Sequence, residues 1–154
     1  MATHRILIAD DNQPNRELLE AYLLELSGVD VEMAVDGQET LDRVKTYQPH
    51  LILLDVMMPR LSGFEVCKKL KGDPATRKIL ILMVTALKDI GDIERGVAAG
   101  TDDFLSKPIN KVELLKRVEI MLRLKDMEDE NARLRKYIET LDESLGPGGA
   151  PPAA

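Results

Sequence analysis

The chain has 154 residues, enough for one domain with an appendage, and 44% of them are hydrophobic, enough for one core. Its net charge is −6 and it holds no sustained basic run, which argues against nucleic acid as a direct partner. One cysteine, Cys67, excludes an intramolecular disulfide, and neither a signal peptide nor an apolar run of membrane-spanning length is present, so a cytoplasmic protein is expected.

In chain order, RILIA (5–9) predicts a first strand that ends on Asp10 and Asp11. Leu18, Leu19, Tyr22, Leu23 and Leu26 follow at helical spacing. VEMAV (31–35) predicts a second strand, and Leu41, Val44 and Tyr47 a second helix. LILLD (51–55) is apolar on both faces until it reaches Asp55, after which Pro59 and Gly63 mark a loop. Phe64, Val66, Cys67 and Leu70 form the next helical face, ILILMV (79–84) a fourth strand before Thr85 and Ala86, and Ile90, Ile93 and Val97 a fourth helix. DFLS (103–106) predicts a fifth strand, before Lys107 and Pro108. Strands alternating with helices predict βαβ units and a parallel sheet covered on both faces, hence a doubly wound α/β domain over residues 4–122. The domain boundaries expected are 1–122, a helical extension over 123–145, and a Gly/Pro/Ala-rich tail, 146–154, read as disordered.

Ligands of an open parallel sheet bind outside the carboxyl ends of its strands. Those ends carry Asp10 and Asp11, Asp55, Thr85 and Lys107. Singly, each has an ordinary reading: an acidic pair as a turn or cap, Asp55 as an N-cap, the threonine as β-branched packing, Lys-Pro as loop punctuation. Jointly, at successive strand ends, they describe a site. Three clustered carboxylates repel one another and call for a hard divalent cation, and Mg2+ with its preference for oxygen suits them. Lys107 supplies a compact positive charge for a phosphoryl oxygen and Thr85 a hydroxyl donor. The set points to phosphoryl transfer with a carboxylate nucleophile. His4 and His50 lack ligand-spaced partners, and Cys67 on an apolar helix face reads as a buried, inert thiol.

The segments ILIADDNQPNRELL, LILLDVMMPRLSGFEV, MVTAL and GTDDFLSKPI resemble the acidic, phosphoacceptor, Thr-Ala and Lys-Pro elements of the response-regulator receiver domain of two-component signalling, over residues 4 to about 122. The resemblance implies a five-stranded flavodoxin-like sheet in the order 2-1-3-4-5. It implies phosphorylation of Asp55 by a histidine kinase or phosphotransfer protein. Asp10 and Asp11, with Asp55 and the backbone carbonyl of Met57, would hold Mg2+. Thr85 and Lys107 would bind phosphoryl oxygens, and Phe104 would stand at the switch-aromatic position, with no phenolic hydroxyl. Met57 and Leu87, both apolar, flank the phosphate and imply slow self-dephosphorylation.

From the last helix of the domain onward, Ile120, Leu124, Met127, Asn131, Leu134, Ile138, Leu141 and Leu145 alternate at spacings of four and three. That is a heptad with Leu124, Asn131, Ile138 and Leu145 at a and Ile120, Met127, Leu134 and Leu141 at d. A buried Asn131 pair and matched charges, Arg123 with Glu128 and Glu130 with Arg135, predict a parallel homodimer. The alternative is a solitary charged helix that packs back on its own domain. The segment DVMMPRLSGFEVCKKLKGDPATRK and the long helix also resemble receivers of diguanylate cyclases, so the chain reads either as a stand-alone receiver without an output domain or as a piece of a longer regulator. An Mg2+-dependent phosphatase is the rival enzyme; its second aspartate two residues past the nucleophile is here Met57. A purely structural dimerisation module is the other rival, and it leaves the acidic cluster unexplained.

Overall fold

The computed structural model describes residues 3–86 and 90–145, with side chains as far as 142. Leu87, the side chain of Leu145 and the tail 146–154 therefore lie outside the described residues. The elements are β1 (His4–Ala9), α1 (Gln13–Leu23), β2 (Val29–Ala34), α2 (Gly37–Tyr47), β3 (Leu51–Leu54), α3 (Gly63–Gly72), β4 (Leu80–Thr85), α4 (Ile90–Ala99), β5 (Asp103–Ser106) and α5 (Lys111–Leu145). All strand pairs are parallel, in the order β2-β1-β3-β4-β5. This is the flavodoxin-like arrangement expected.

Period-two alternation along the buried strands feeds two cores. Leu7 and Ala9, Ile52 and Leu54, and Ile81 and Met83 face α2 and α3, meeting Val44, Phe64, Val66, Cys67 and Leu70. Ile6 and Ile8, Leu51 and Leu53, and Leu82 and Val84 face α1 and α5, meeting Leu19, Leu23, Leu114 and Val118. The unbroken apolar run of β3 thus reflects a strand buried on both faces, with all four residues at 1% exposure or less. Helix starts are set locally. Asn12 accepts from Asn15 N–H, Asp36 from Glu39 N–H, Ser62 from Glu65 N–H and Asn110 from Glu113 N–H.

Strand bounds differ slightly from the sequence expectation. β2 begins at Val29 rather than Val31 because His4 and Arg5 of β1 pair with Val29 and Asp30. Pairing, not hydrophobicity, recruits those residues at the sheet edge. β3 ends at Leu54, yet Asp55 N–H still donates to Ala9 O at 2.9 Å, so the acidic residue leaves the sheet in register.

The chain divides into two compact units after Leu122. In the second, the described part is the continuation of α5 from Arg123, where Leu124, Met127, Leu134, Ile138 and Leu141 are exposed. No helix among the described residues is long and apolar enough to cross a membrane.

Candidate functional site

The chain runs from β1 outward to β2 and returns on the other side of β1 to β3. The reversal makes β1/β3 the point where two crossovers part and leave a crevice. The ends of those two strands deliver Asp10, Asp11 and Asp55, each offering one carboxylate oxygen within 4.8 Å of the other two. Asp10 and Asp55 are 2% and 5% exposed, and Asp11 is on the surface.

Lys107, just past β5, reaches across to them. Its Nζ lies 3.3 Å from Asp10 Oδ2 and 3.2 Å from Asp55 Oδ2. Its backbone N–H donates to Thr85 O at 2.9 Å, which ties the lysine to the end of β4. The other oxygens are also served. Asp10 Oδ1 accepts Asn12 N–H at 2.9 Å, and Asp55 Oδ1 accepts Met57 N–H at 3.3 Å. Thr85 is buried at the carboxyl end of β4 beside β3.

Burial pushes the Asp55 carboxyl above its ordinary value, and the Asp10 charge adds to this, while Lys107 and the Met57 N–H pull the other way. For Lys107, burial alone would lower the pKa, but Asp55 and Asp10 outweigh it and raise it, so the ammonium stays charged. The cluster is therefore a set of hard oxygen donors, short of positive charge, with one fixed ammonium. Such a donor set fits Mg2+, which favours one or two carboxylates together with phosphate oxygens.

Two glycines shape the approach. A Cβ on Gly63, the first residue of α3, would collide with the Asp55 carbonyl oxygen, so only glycine lets α3 start against the acceptor loop. A Cβ on Gly96 of α4 would collide with the Phe104 ring. Phe104 is accordingly a half-buried residue packed on α4 and the α2/α3-side core. Met57 is 65% exposed beside Asp55.

One residue of the site was not singled out from sequence. Arg16 of α1 donates from Nη1 to the Asp10 carbonyl oxygen at 2.8 Å. The only local signal is its position six residues past Asp10, one turn into the helix that follows the acidic pair.

The family described as response regulator receiver domain matches residues 6–119. The chain is 46% identical over 126 residues to the response regulator PleD of Caulobacter vibrioides, covering 82% of this chain and 28% of PleD. It is 42% identical over 140 residues to the response regulator MprA of Mycobacterium tuberculosis, covering 90% of this chain and 60% of MprA. The structure of the chemotaxis protein CheY4 of Vibrio cholerae superposes with a TM-score of 0.73 at 31% identity, covering 78% of this chain and 99% of that one. The chain thus spans from 28% to 60% of the length of these two curated relatives.

Proposed function

The chain belongs to the response regulator receiver family of two-component signalling, and from that premise we propose that it accepts a phosphoryl group on Asp55 from a histidine kinase or phosphotransfer protein, in the presence of Mg2+, in the cytoplasm. The observation that carries the proposal is the buried Asp55 at the strand-order reversal, bridged to Asp10 by Lys107.

A carboxylate oxygen of Asp55 attacks phosphorus. The new O–P bond forms as the P–N bond of a phosphohistidine breaks, and the imidazole nitrogen leaves with the bonding pair. Burial makes Asp55 a more basic, and so stronger, nucleophile than a surface carboxylate. Asp10, Asp11, Asp55 and the backbone carbonyl of Met57 would hold Mg2+, which would supply charge neutralisation for the phosphoryl oxygens. Lys107 exchanges a carboxylate contact for a phosphoryl oxygen, and the Thr85 hydroxyl donates to another. Thr85 and Phe104 then transmit the occupancy of Asp55 to the surface around α4 and β5.

Residues 1–122 form the receiver, 123–145 a coiled-coil extension and 146–154 a tail in this reading. The extension pairs in parallel with a second copy through Ile120, Leu124, Met127, Asn131, Leu134, Ile138, Leu141 and Leu145. Support comes from the exposure of the apolar members Ile120 to Leu141, between 42% and 57%, because a helical segment relies on packing an apolar face. Parallel pairing sets the two Asn131 amides against each other, where they can bond; an antiparallel pair leaves each opposite an apolar residue.

Intact mass after treatment with acetyl phosphate and Mg2+ tests the first part. The parent gains one phosphoryl group and Asp55→Asn gains none; equal gain by both would remove Asp55 from the role. Sedimentation of the full chain against a chain ending at residue 122 tests the second, and an unchanged oligomeric state would remove the coiled coil.

A further inference from the structure

The acidic cluster is electrostatically unfavourable to the group it is proposed to receive. Three carboxylates against one ammonium leave two formal negative charges. A divalent cation cancels them, and an arriving phosphoryl dianion restores a negative balance. A fixed cation at the rim, outside the metal ligands, lowers that barrier to encounter.

Arg16 has the placement and the spare capacity. It sits on α1, which leaves the end of β1 directly after Asp10 and Asp11, and it is half-buried. Nη1 is anchored on the Asp10 carbonyl oxygen at 2.8 Å. A guanidinium has five N–H donors, and among the described residues Arg16 spends its side chain on that single contact and pairs with no carboxylate. Other arginines do otherwise: Arg43 faces Glu32, Arg60 faces Asp36 and Arg117 faces Asp103. A guanidinium anchored on the backbone of Asp10, with donors to spare, suits the planar recognition of phosphoryl oxygens.

We propose that Arg16 is a donor-binding residue of this site, taking the oxygens of the incoming phosphoryl group before transfer to Asp55. The inference rests on the phosphoacceptor reading of Asp55. It assigns to Arg16 the phosphoryl group itself, common to small phosphodonors and phosphohistidine, rather than the leaving group.

The experiment measures second-order phosphorylation of the full chain by acetyl phosphate and by phosphoramidate, over a series of Mg2+ concentrations up to saturation, for the parent, Arg16→Met and Arg16→Lys. Loss of one charge-assisted contact is expected to slow Arg16→Met about tenfold with both donors. Arg16→Lys keeps the charge and should recover most of that rate. Mg2+ affinity of Arg16→Met should be unchanged or tighter, since a cation near the metal has been removed. Equal rates for Arg16→Met and the parent overturn the proposal, as does an Arg16→Lys rate no better than that of Arg16→Met. A deficit that vanishes at higher Mg2+ shows that Arg16 acts only by positioning Asp10, and a deficit confined to acetyl phosphate shows that it reads the leaving group; either overturns it. A parent chain that takes no phosphate on Asp55 overturns the phosphoacceptor reading instead, and this inference with it.

Discussion

Replacing Asp55 by asparagine should stabilise the metal-free fold while abolishing its proposed function. Carboxylate oxygens no more than 4.8 Å apart repel by at least about 3.5 kcal/mol at an effective dielectric constant of about 20. Lys107, at 3.2 and 3.3 Å from Asp55 and Asp10, offsets part of that. The raised pKa of Asp55 decides the balance, because it means that burial and Asp10 together outweigh the lysine. A carboxyl whose pKa is higher in the fold than in the unfolded chain favours folding fully below the ordinary value of 3.8. That advantage is lost as pH rises through the folded value, so at neutral pH the ionised Asp55 is a liability. Asp55→Asn removes the buried charge and keeps the shape, for a gain of about 1 to 2 kcal/mol and roughly 2–8 °C in melting temperature for a chain of this size. Scanning calorimetry at pH 7 without metal reads this directly. The same scans with Mg2+ at about a hundred times its dissociation constant should raise the parent by about 2.7 kcal/mol, roughly 5–11 °C. The variant, lacking one of three carboxylates, should gain less than half as much. A variant that melts at or below the parent without metal would refute the electrostatic account.

The remaining expectations concern other parts of the chain. Introducing Asn at Met57 and Glu at Leu87 should place an attacking water better and shorten the phosphorylated lifetime about tenfold, the effect of about 1.4 kcal/mol on a barrier; following phosphate loss by mass checks it, and an unchanged lifetime counts against the apolar shield. Burial pushes the Cys67 thiol from 9.0 up to about 11, so the fold favours the protonated thiol and loses up to about 3 kcal/mol of stability as pH rises from 9 to 11. Cys67→Ala should flatten the alkaline fall contributed by this group in urea titrations at those pH values, and identical slopes would contradict it. Asn131→Ile should raise the melting temperature of the dimer and loosen its preference for two strands, seen by calorimetry and sedimentation; a lower melting temperature would argue that Asn131 is not at a buried seam.

Much of this molecule was legible without coordinates, for a local reason. An apolar run such as Leu51–Leu54 has nowhere to go but the middle of a covered sheet, and an acidic residue directly after it must emerge at the strand end. The same logic brought Asp10, Asp11, Thr85 and Lys107 to one edge, because parallel strands present all their carboxyl ends on the same side. Periodicity assigned the helices, and the caps at Asn12, Asp36 and Ser62 lie where side-chain chemistry opens a helix.

Tertiary structure alone decided which of these groups touch. Lys107 stands 97 residues from Asp10 and 52 from Asp55, and no local pattern says that one ammonium bridges both carboxylates. Arg16 was not singled out from sequence, and only the fold shows its guanidinium on the Asp10 carbonyl. Gly96 was not singled out from sequence, and the Phe104 ring lying against it explains why a side chain is missing there. The first two residues of β2 became strand through pairing with His4 and Arg5. Hydrophobic periodicity reports what each segment buries; it carries no information about which distant segment arrives opposite, and that is settled by strand order, crossover and the packing of two faces at once.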